Sequence, residues 1–168
     1  MSIRVVANPI QIAWPQFQVV QSLPNTEDAH TDINFNLQNG ALRNVKGQFM
    51  LADRLTLTVT PILKVLKTAN QTADLLAHEQ GHYNIGILVG RAMARELDQL
   101  SASTAKDLAK AASDVFDLHR LTRMPAVQSD YDTDTKGSQN ATEQTRWNGL
   151  IAAGLTAAVC NTLDSNDL

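Results

Sequence analysis

Cysteine is almost missing from this chain: one residue, Cys160, in 168. An intramolecular disulfide is therefore impossible and a cysteine-based zinc finger is excluded. The context Ala157-Ala158-Val159-Cys160 reads as a buried structural thiol. No apolar run approaches the 18 residues of a transmembrane helix. Basic charge is never concentrated: the 14 Lys and Arg residues include no run of three, and the net charge is −3 with a pI near 5.7. Nucleic-acid binding thus lacks its electrostatic footprint. Residues 1–15 hold one basic residue and several polar interruptions, not the charged and apolar regions of a signal peptide. A cytoplasmic chain and one whose signal has been removed both fit. With 43% hydrophobic and 18% charged residues, the composition is globular. The length suits a single domain, 1–168, that buries roughly two-thirds of its unfolded surface. No internal repeat or low-complexity linker divides it.

The pattern changes near residue 67. Residues 1–66 favour strands. Ile3–Val6 and Phe17–Val20 are short candidates, and 31–37 and 55–60 alternate apolar and polar residues in the manner of half-buried strands. Asn39-Gly40 reads as a tight turn, and Pro61 reads as a strand end. The expectation is a small antiparallel sheet of three to five strands with one face covered. From residue 68 the pattern is helical. A proline-free segment, 71–100, is capped by Thr68 or Asn70, with Asp74 favouring its first turn. A second helix starts at Ser103 or Thr104 and stops before Pro125. Residues 126–140 read as a loop, and a last helix spans 141–163. The fold class is α+β: a small N-terminal antiparallel sheet followed by three helices.

The chemistry is concentrated in His78-Glu79-Gln80-Gly81-His82, an HExxH sequence within the first long helix. Residues i and i+4 lie on one helix face, so two imidazoles converge on one metal ion. Glu79 stands beside them, where a carboxylate can take a proton from an activated water as general base. Imidazole ligands in a tetrahedral site suit zinc. The chain has four His and four Glu, and a chance match to this motif has a probability of roughly two in a thousand.

A catalytic zinc takes three protein ligands and keeps a fourth position open. The extended motif HExxHxxGxxH is absent, because Ile85 and Leu88 occupy its later glycine and histidine positions. Glu96 lies 14 residues beyond His82 on the same helix, about 21 Å away at 1.5 Å per residue, too far to share the ion. The candidates for the third ligand are His119 and the three aspartates of the carboxylate-rich run 130–135, Asp130, Asp132 and Asp134, of which Asp132 and Asp134 are preferred. Trp147, Leu150 and Ile151, at i, i+3 and i+4, pack the last helix on the core. Gly86 and Gly90 allow close helix approach.

Residues 75–85, LLAHEQGHYNI, resemble the LLxHEQxHFDI segment of a bacterial domain-of-unknown-function family of predicted secreted zinc-dependent proteases. Tyr131-Asp132-Thr133-Asp134-Thr135 is similar to the start of that family's YDxETxHG segment, and Gln144 and Trp147 fall on its later QxxW. Trp14 matches an early tryptophan. The resemblance is close over about 70–151 and weak before residue 67. It implies a zincin-like fold with HExxH on the first long helix, a zinc cofactor, a peptide or protein substrate, and a secreted or periplasmic location. It departs at Gly137, where the family has a histidine, and at Asn84, where it has an aspartate whose hydrogen bond could support a ligand histidine. The ligand set expected on this basis is His78, His82 and Asp132, with Glu79 as base. Tyr131 is either a donor to the oxyanion of a tetrahedral intermediate or a packed aromatic. The resulting function is zinc-dependent peptide-bond hydrolysis; the alternative, motivated by Gly137, is an inactive protein- or envelope-binding relative. A metal-dependent hydrolase of a non-peptide amide is a third reading.

Overall fold

A computed structural model describes residues 3–23, 27–38 and 42–168. Asn39-Gly40, the expected tight turn, lies outside the described residues. The main sheet is built on one long strand. We label β1 Ile3–Ala7, β2 Gln18–Val20, β3 Ala29–Leu37, β4 Leu42–Val45, β5 Gln48–Leu51 and β6 Leu55–Leu66. β3 pairs antiparallel with β6 along nearly its whole length, whereas β1 and β2 pair with β6 in parallel. The sheet is therefore mixed, which corrects the antiparallel expectation. The reason is chain path: β1 and β2 share the edge of β6 opposite β3, β1 against its first half and β2 against its end.

That arrangement also explains why Pro61 does not end β6. The amide of Leu66 donates to the Asp28 carbonyl at 2.8 Å and that of Gln38 to the Thr56 carbonyl at 2.9 Å. Those pairs fix the register so that even-numbered β3 residues exchange hydrogen bonds with β6, and Ile33 faces Pro61 in a non-bonded pair. The position where Pro61 lacks an N–H thus points the other way, into the gap between β1 and β2, where no ladder bond is required. On β3 the odd residues from Ala29 to Phe35 are buried, following the two-residue strand period.

The short hairpin of β4 and β5 has both turn residues at positive φ, Lys46 at 51° and Gly47 at 84°. A Lys-Gly turn lacks the Asn-Gly signature, so the hairpin was not visible in the sequence. β7, Ser101–Ala102, joins β5.

The first long helix, α1 (Ala73–Asp98), is capped by Thr72, whose hydroxyl accepts from the Leu75 amide at 3.1 Å. The cap is therefore neither Thr68 nor Asn70. α1 is buried on most of its circumference because it packs against β1, β3 and β6 on one side and against later helices on the others. Gly86 and Gly90 permit approach to the sheet, not to a helix: a Cβ on Gly86 would meet Ile33 at 2.7 Å, and one on Gly90 would meet Val59 at 2.9 Å.

Pro125 does not stop the second helix. α2 (Ala105–Leu118), capped by Thr104, passes through one π turn, His119–Arg123, directly into α3 (Met124–Thr135). In the π turn the Met124 amide reaches back to the His119 carbonyl, five residues earlier. The widened turn accommodates the missing proline N–H and the bulk of its ring. The segment 126–140, expected to be a loop, is thus helical as far as Thr135. α4 (Ala141–Thr156), capped by Asn140, is shorter than expected and gives way to a small hairpin, β8 (Thr162–Leu163) and β9 (Asn166–Asp167). Trp147 and Ile151 are buried and Leu150 packs beside them, as their spacing predicted. Cys160 is half-buried, its thiol donating to the Thr162 carbonyl. Among the described residues no helix is long and apolar enough to cross a membrane.

Candidate metal centre

His78, Glu79 and His82 are carried on α1 and are buried, at 2%, 2% and 8% exposure. Asp132 comes from α3, which packs across α1 at this level. The His78 and His82 Nε2 atoms lie 3.1 Å apart, and Asp132 Oδ1 is 3.2 Å from the first and 2.9 Å from the second. Three donors around a tetrahedral zinc at about 2.0–2.1 Å would be spaced by about 3.3 Å. The triangle seen here has nearly that edge.

Donor counting supports the same reading. Gln128 Nε2 donates to the His82 carbonyl at 3.0 Å, which turns its Oε1 toward His82 Nδ1 in a short contact. Gln144 Nε2 donates to Tyr131 Oη at 2.7 Å and to Asn148 Oδ1 at 3.0 Å, so its Oε1 accepts from His78 Nδ1 at 3.2 Å. With both Nδ1 atoms acting as donors, two neutral imidazoles direct their Nε2 lone pairs at each other and at a carboxylate oxygen. Three electron pairs converging within hydrogen-bond distance require a proton or a cation between them. In the metal-free protein a proton serves. Burial would lower the pKa of His82, but the hydrogen bond and charge of Asp132, with the charge of Glu79 and the bond to Gln128, outweigh it and raise the value to about 9. For Asp132, burial pushes upward, but the two histidines hold the carboxyl well below the usual carboxylate range. A divalent cation with imidazole and carboxylate ligands fits the same place.

Glu79 is fixed from the sheet. Thr31, on β3, donates its hydroxyl to Glu79 Oε2 at 2.6 Å. The side chain of Asp132 is about half exposed, so the triangle opens on one side into a cleft of about 900 Å³ between β3 and α3.

Tyr131 packs behind the histidines. It is fully buried, its ring stacks on His78 at 4.8 Å and 12°, and its hydroxyl donates to the His78 carbonyl at 3.1 Å. The single phenolic proton is thus directed at the backbone of α1. Burial also raises the pKa of the phenol. Gly81 makes the stacking possible, since a Cβ there would lie 2.1 Å from Tyr131 Oη.

The other candidate ligands are engaged elsewhere. Asp134 Oδ2 accepts from Trp147 Nε1 at 3.0 Å and from Arg146 at 2.7 Å. Asp130 accepts from Asn166. His119 is buried in the π turn with Nε2 3.3 Å from Glu96 and 3.1 Å from Arg123; burial lowers its pKa. Asn84 accepts from Gln80, not from a ligand histidine, and Gln80 in turn accepts from the Ile12 amide at 2.9 Å. Gly137 lies past the left-handed Lys136 that ends α3, and the cluster of His78, His82 and Asp132 forms without it.

Sequence reading missed Thr31 and Gln128. Gln128, Tyr131, Asp132 and Thr135 are spaced i, i+3, i+4, i+7, one face of a helix. That signal was legible once 124–135 was read as helix and not as loop.

A mixed sheet backed by a helix that bears two histidines, closed by an aspartate from a crossing helix, defines an α+β protein with a candidate metal centre. The chain belongs to a family described as bacterial protein of unknown function (DUF922), whose model matches residues 19–140. No curated protein and no solved structure matches it.

Proposed function

We propose that this protein is a zincin-like, zinc-dependent peptidase. The observation that carries the reading is the triangle of His78 Nε2, His82 Nε2 and Asp132 Oδ1, with edges of 2.9–3.2 Å, beside a buried glutamate. A zinc ion held there would supply Lewis acidity toward a scissile carbonyl and toward water. Glu79 takes the proton of the attacking water. Thr31 fixes one of its oxygens, leaving the second for that transfer. Tyr131 holds the position of His78 instead of stabilising an oxyanion, because its only proton is given to the His78 carbonyl.

The sheet favours an extended substrate. Among the described residues β3 pairs only with β6. Its even-numbered residues use their backbone groups on β6, so the N–H and C=O groups of Ala29, Thr31 and Ile33 are directed outward along the cleft. A peptide adding there gains main-chain hydrogen bonds and is held beside Glu79. The secreted or periplasmic location implied by the resemblance belongs to the same proposal.

The test is elemental analysis and a peptide-library digest of wild type, His78→Ala and Glu79→Gln. The expected result is about one zinc per chain in wild type and Glu79→Gln, none in His78→Ala, and hydrolysis by wild type alone. Hydrolysis by Glu79→Gln overturns the assignment of the base. Stoichiometric zinc with no cleavage by wild type replaces the peptidase with a metal-stabilised binding module.

A further inference from the structure

Each candidate ligand histidine is held at two points by one carboxamide. For His82 the grip is direct: Gln128 Oε1 accepts from ring Nδ1, and Gln128 Nε2 donates to the main-chain carbonyl of the same residue at 3.0 Å. For His78 it runs through one relay. Gln144 Oε1 accepts from ring Nδ1 at 3.2 Å, and Gln144 Nε2 donates to Tyr131 Oη at 2.7 Å. Tyr131 Oη then donates to the His78 carbonyl at 3.1 Å. Thr135 adds a second acceptor near His78 Nδ1 at 3.4 Å, its own proton being given to the Tyr131 carbonyl at 2.6 Å.

We propose that Gln128 and Gln144, the latter with Tyr131, are positioning residues that clamp His82 and His78 as Nδ1–H tautomers with Nε2 aimed at the metal. This rests on the metal reading above and deepens it. Glutamine is chemically suited to the task because each clamp needs an acceptor at one end and a donor at the other. A glutamate at 128 would set a carboxylate oxygen against the His82 carbonyl, and a lysine would set a donor against Nδ1–H. The amide oxygen accepts the Nδ1 proton without a full negative charge, so the Nε2 of each ring is the nitrogen left to a metal. The two clamps approach from different helices, α3 and α4, so both must pack on α1 before the lone pairs converge.

Loss of a group that orients a metal ligand typically weakens binding by about 10–100-fold. The experiment measures zinc affinity of the full chain by competition with a chromophoric chelator, for wild type, Gln128→Met, Gln144→Met, Tyr131→Phe and the combined Gln144→Met/Tyr131→Phe. Metal-free melting curves identify variants that remain folded. The expected result is about 10-fold or greater weakening in each methionine variant. The combined variant is no weaker than about the larger of its two singles, because both changes break one clamp. Unchanged affinity, within twofold, in folded methionine variants overturns the proposal while leaving the metal reading intact. A wild type that binds no zinc overturns both. If neither methionine variant folds, nitrogen-15 spectra of the histidine rings in zinc-loaded wild type decide. Protonated Nδ1 on both rings supports the clamps, and zinc on Nδ1 of either ring overturns them.

Discussion

Gly81 separates two physical effects that oppose each other. Replacing it with alanine in the middle of α1 improves helix propensity by about 1 kcal/mol, which by itself would raise Tm by about 2–4 °C in a chain of this size. The structure predicts the opposite. The new Cβ would sit 2.1 Å from Tyr131 Oη and 2.6 Å from its Cζ, more than 1 Å inside ordinary van der Waals contact. Neither side can yield cheaply. The Cβ is fixed to the α1 backbone, and the Tyr131 ring is fully buried against His78, His82 and Trp147. Relief requires α3 to move away from α1, and Asp132, adjacent to Tyr131, moves with it. Overpacking costs about 1–3 kcal/mol; an overlap this deep against a ring that cannot turn falls at the upper end, which leaves about 2 kcal/mol of net destabilisation after the propensity gain. A displacement of about 1 Å also opens a triangle whose edges are 2.9–3.2 Å. Gly81→Ala should therefore melt about 4–8 °C below wild type and bind zinc at least about 10-fold more weakly. Thermal melts with and without zinc, together with chelator competition, measure both. A variant that melts above wild type and binds zinc normally would refute the packing argument, because helix propensity alone would then account for the result.

Two further outcomes follow from the site. A zinc ion held as proposed would displace the proton of His82, whose pKa in the metal-free protein is raised to about 9. Apparent zinc affinity should rise about tenfold per pH unit from pH 6.5 to about 9 and then level off; affinity independent of pH from 6 to 8 would refute the protonated pair. Because the folded value is raised, the stability that this pair gives the metal-free protein is full below about pH 6.5 and is lost as pH rises through 9, which melting curves across that range would show. Thr31→Val removes the donor that fixes Glu79 at 2.6 Å; zinc content should be unchanged while hydrolysis falls by about tenfold or more, a bond to a charged group being worth about 1.5–3 kcal/mol.

Much of the site was legible because its spacing is local. His78, Glu79 and His82 belong to one helix, and i, i+4 geometry alone brings the imidazoles together. The strand pattern of 31–37 and 55–60 was equally readable, since alternate burial is a property of each strand by itself. The third position was not settled by spacing. Asp132, Asp134 and His119 are all plausible ligands as residues, and only the packing of α3 across α1 separates them. That packing gives Asp132 to the histidines, Asp134 to Trp147 and Arg146, and His119 to Glu96 and Arg123. Local rules misread two prolines for one reason. Pro61 sits where a neighbouring strand is missing, and Pro125 follows a π turn that makes room for it. Whether a missing N–H matters depends on what lies opposite, which no local pattern records. The Gln128 and Gln144 contacts are of the same kind, as is that of Thr31. A carboxamide or hydroxyl takes its role from the group it faces, so the sequence by itself determined the helix that carries the two candidate ligand histidines, and the tertiary structure decided what closes, orients and supports the cluster.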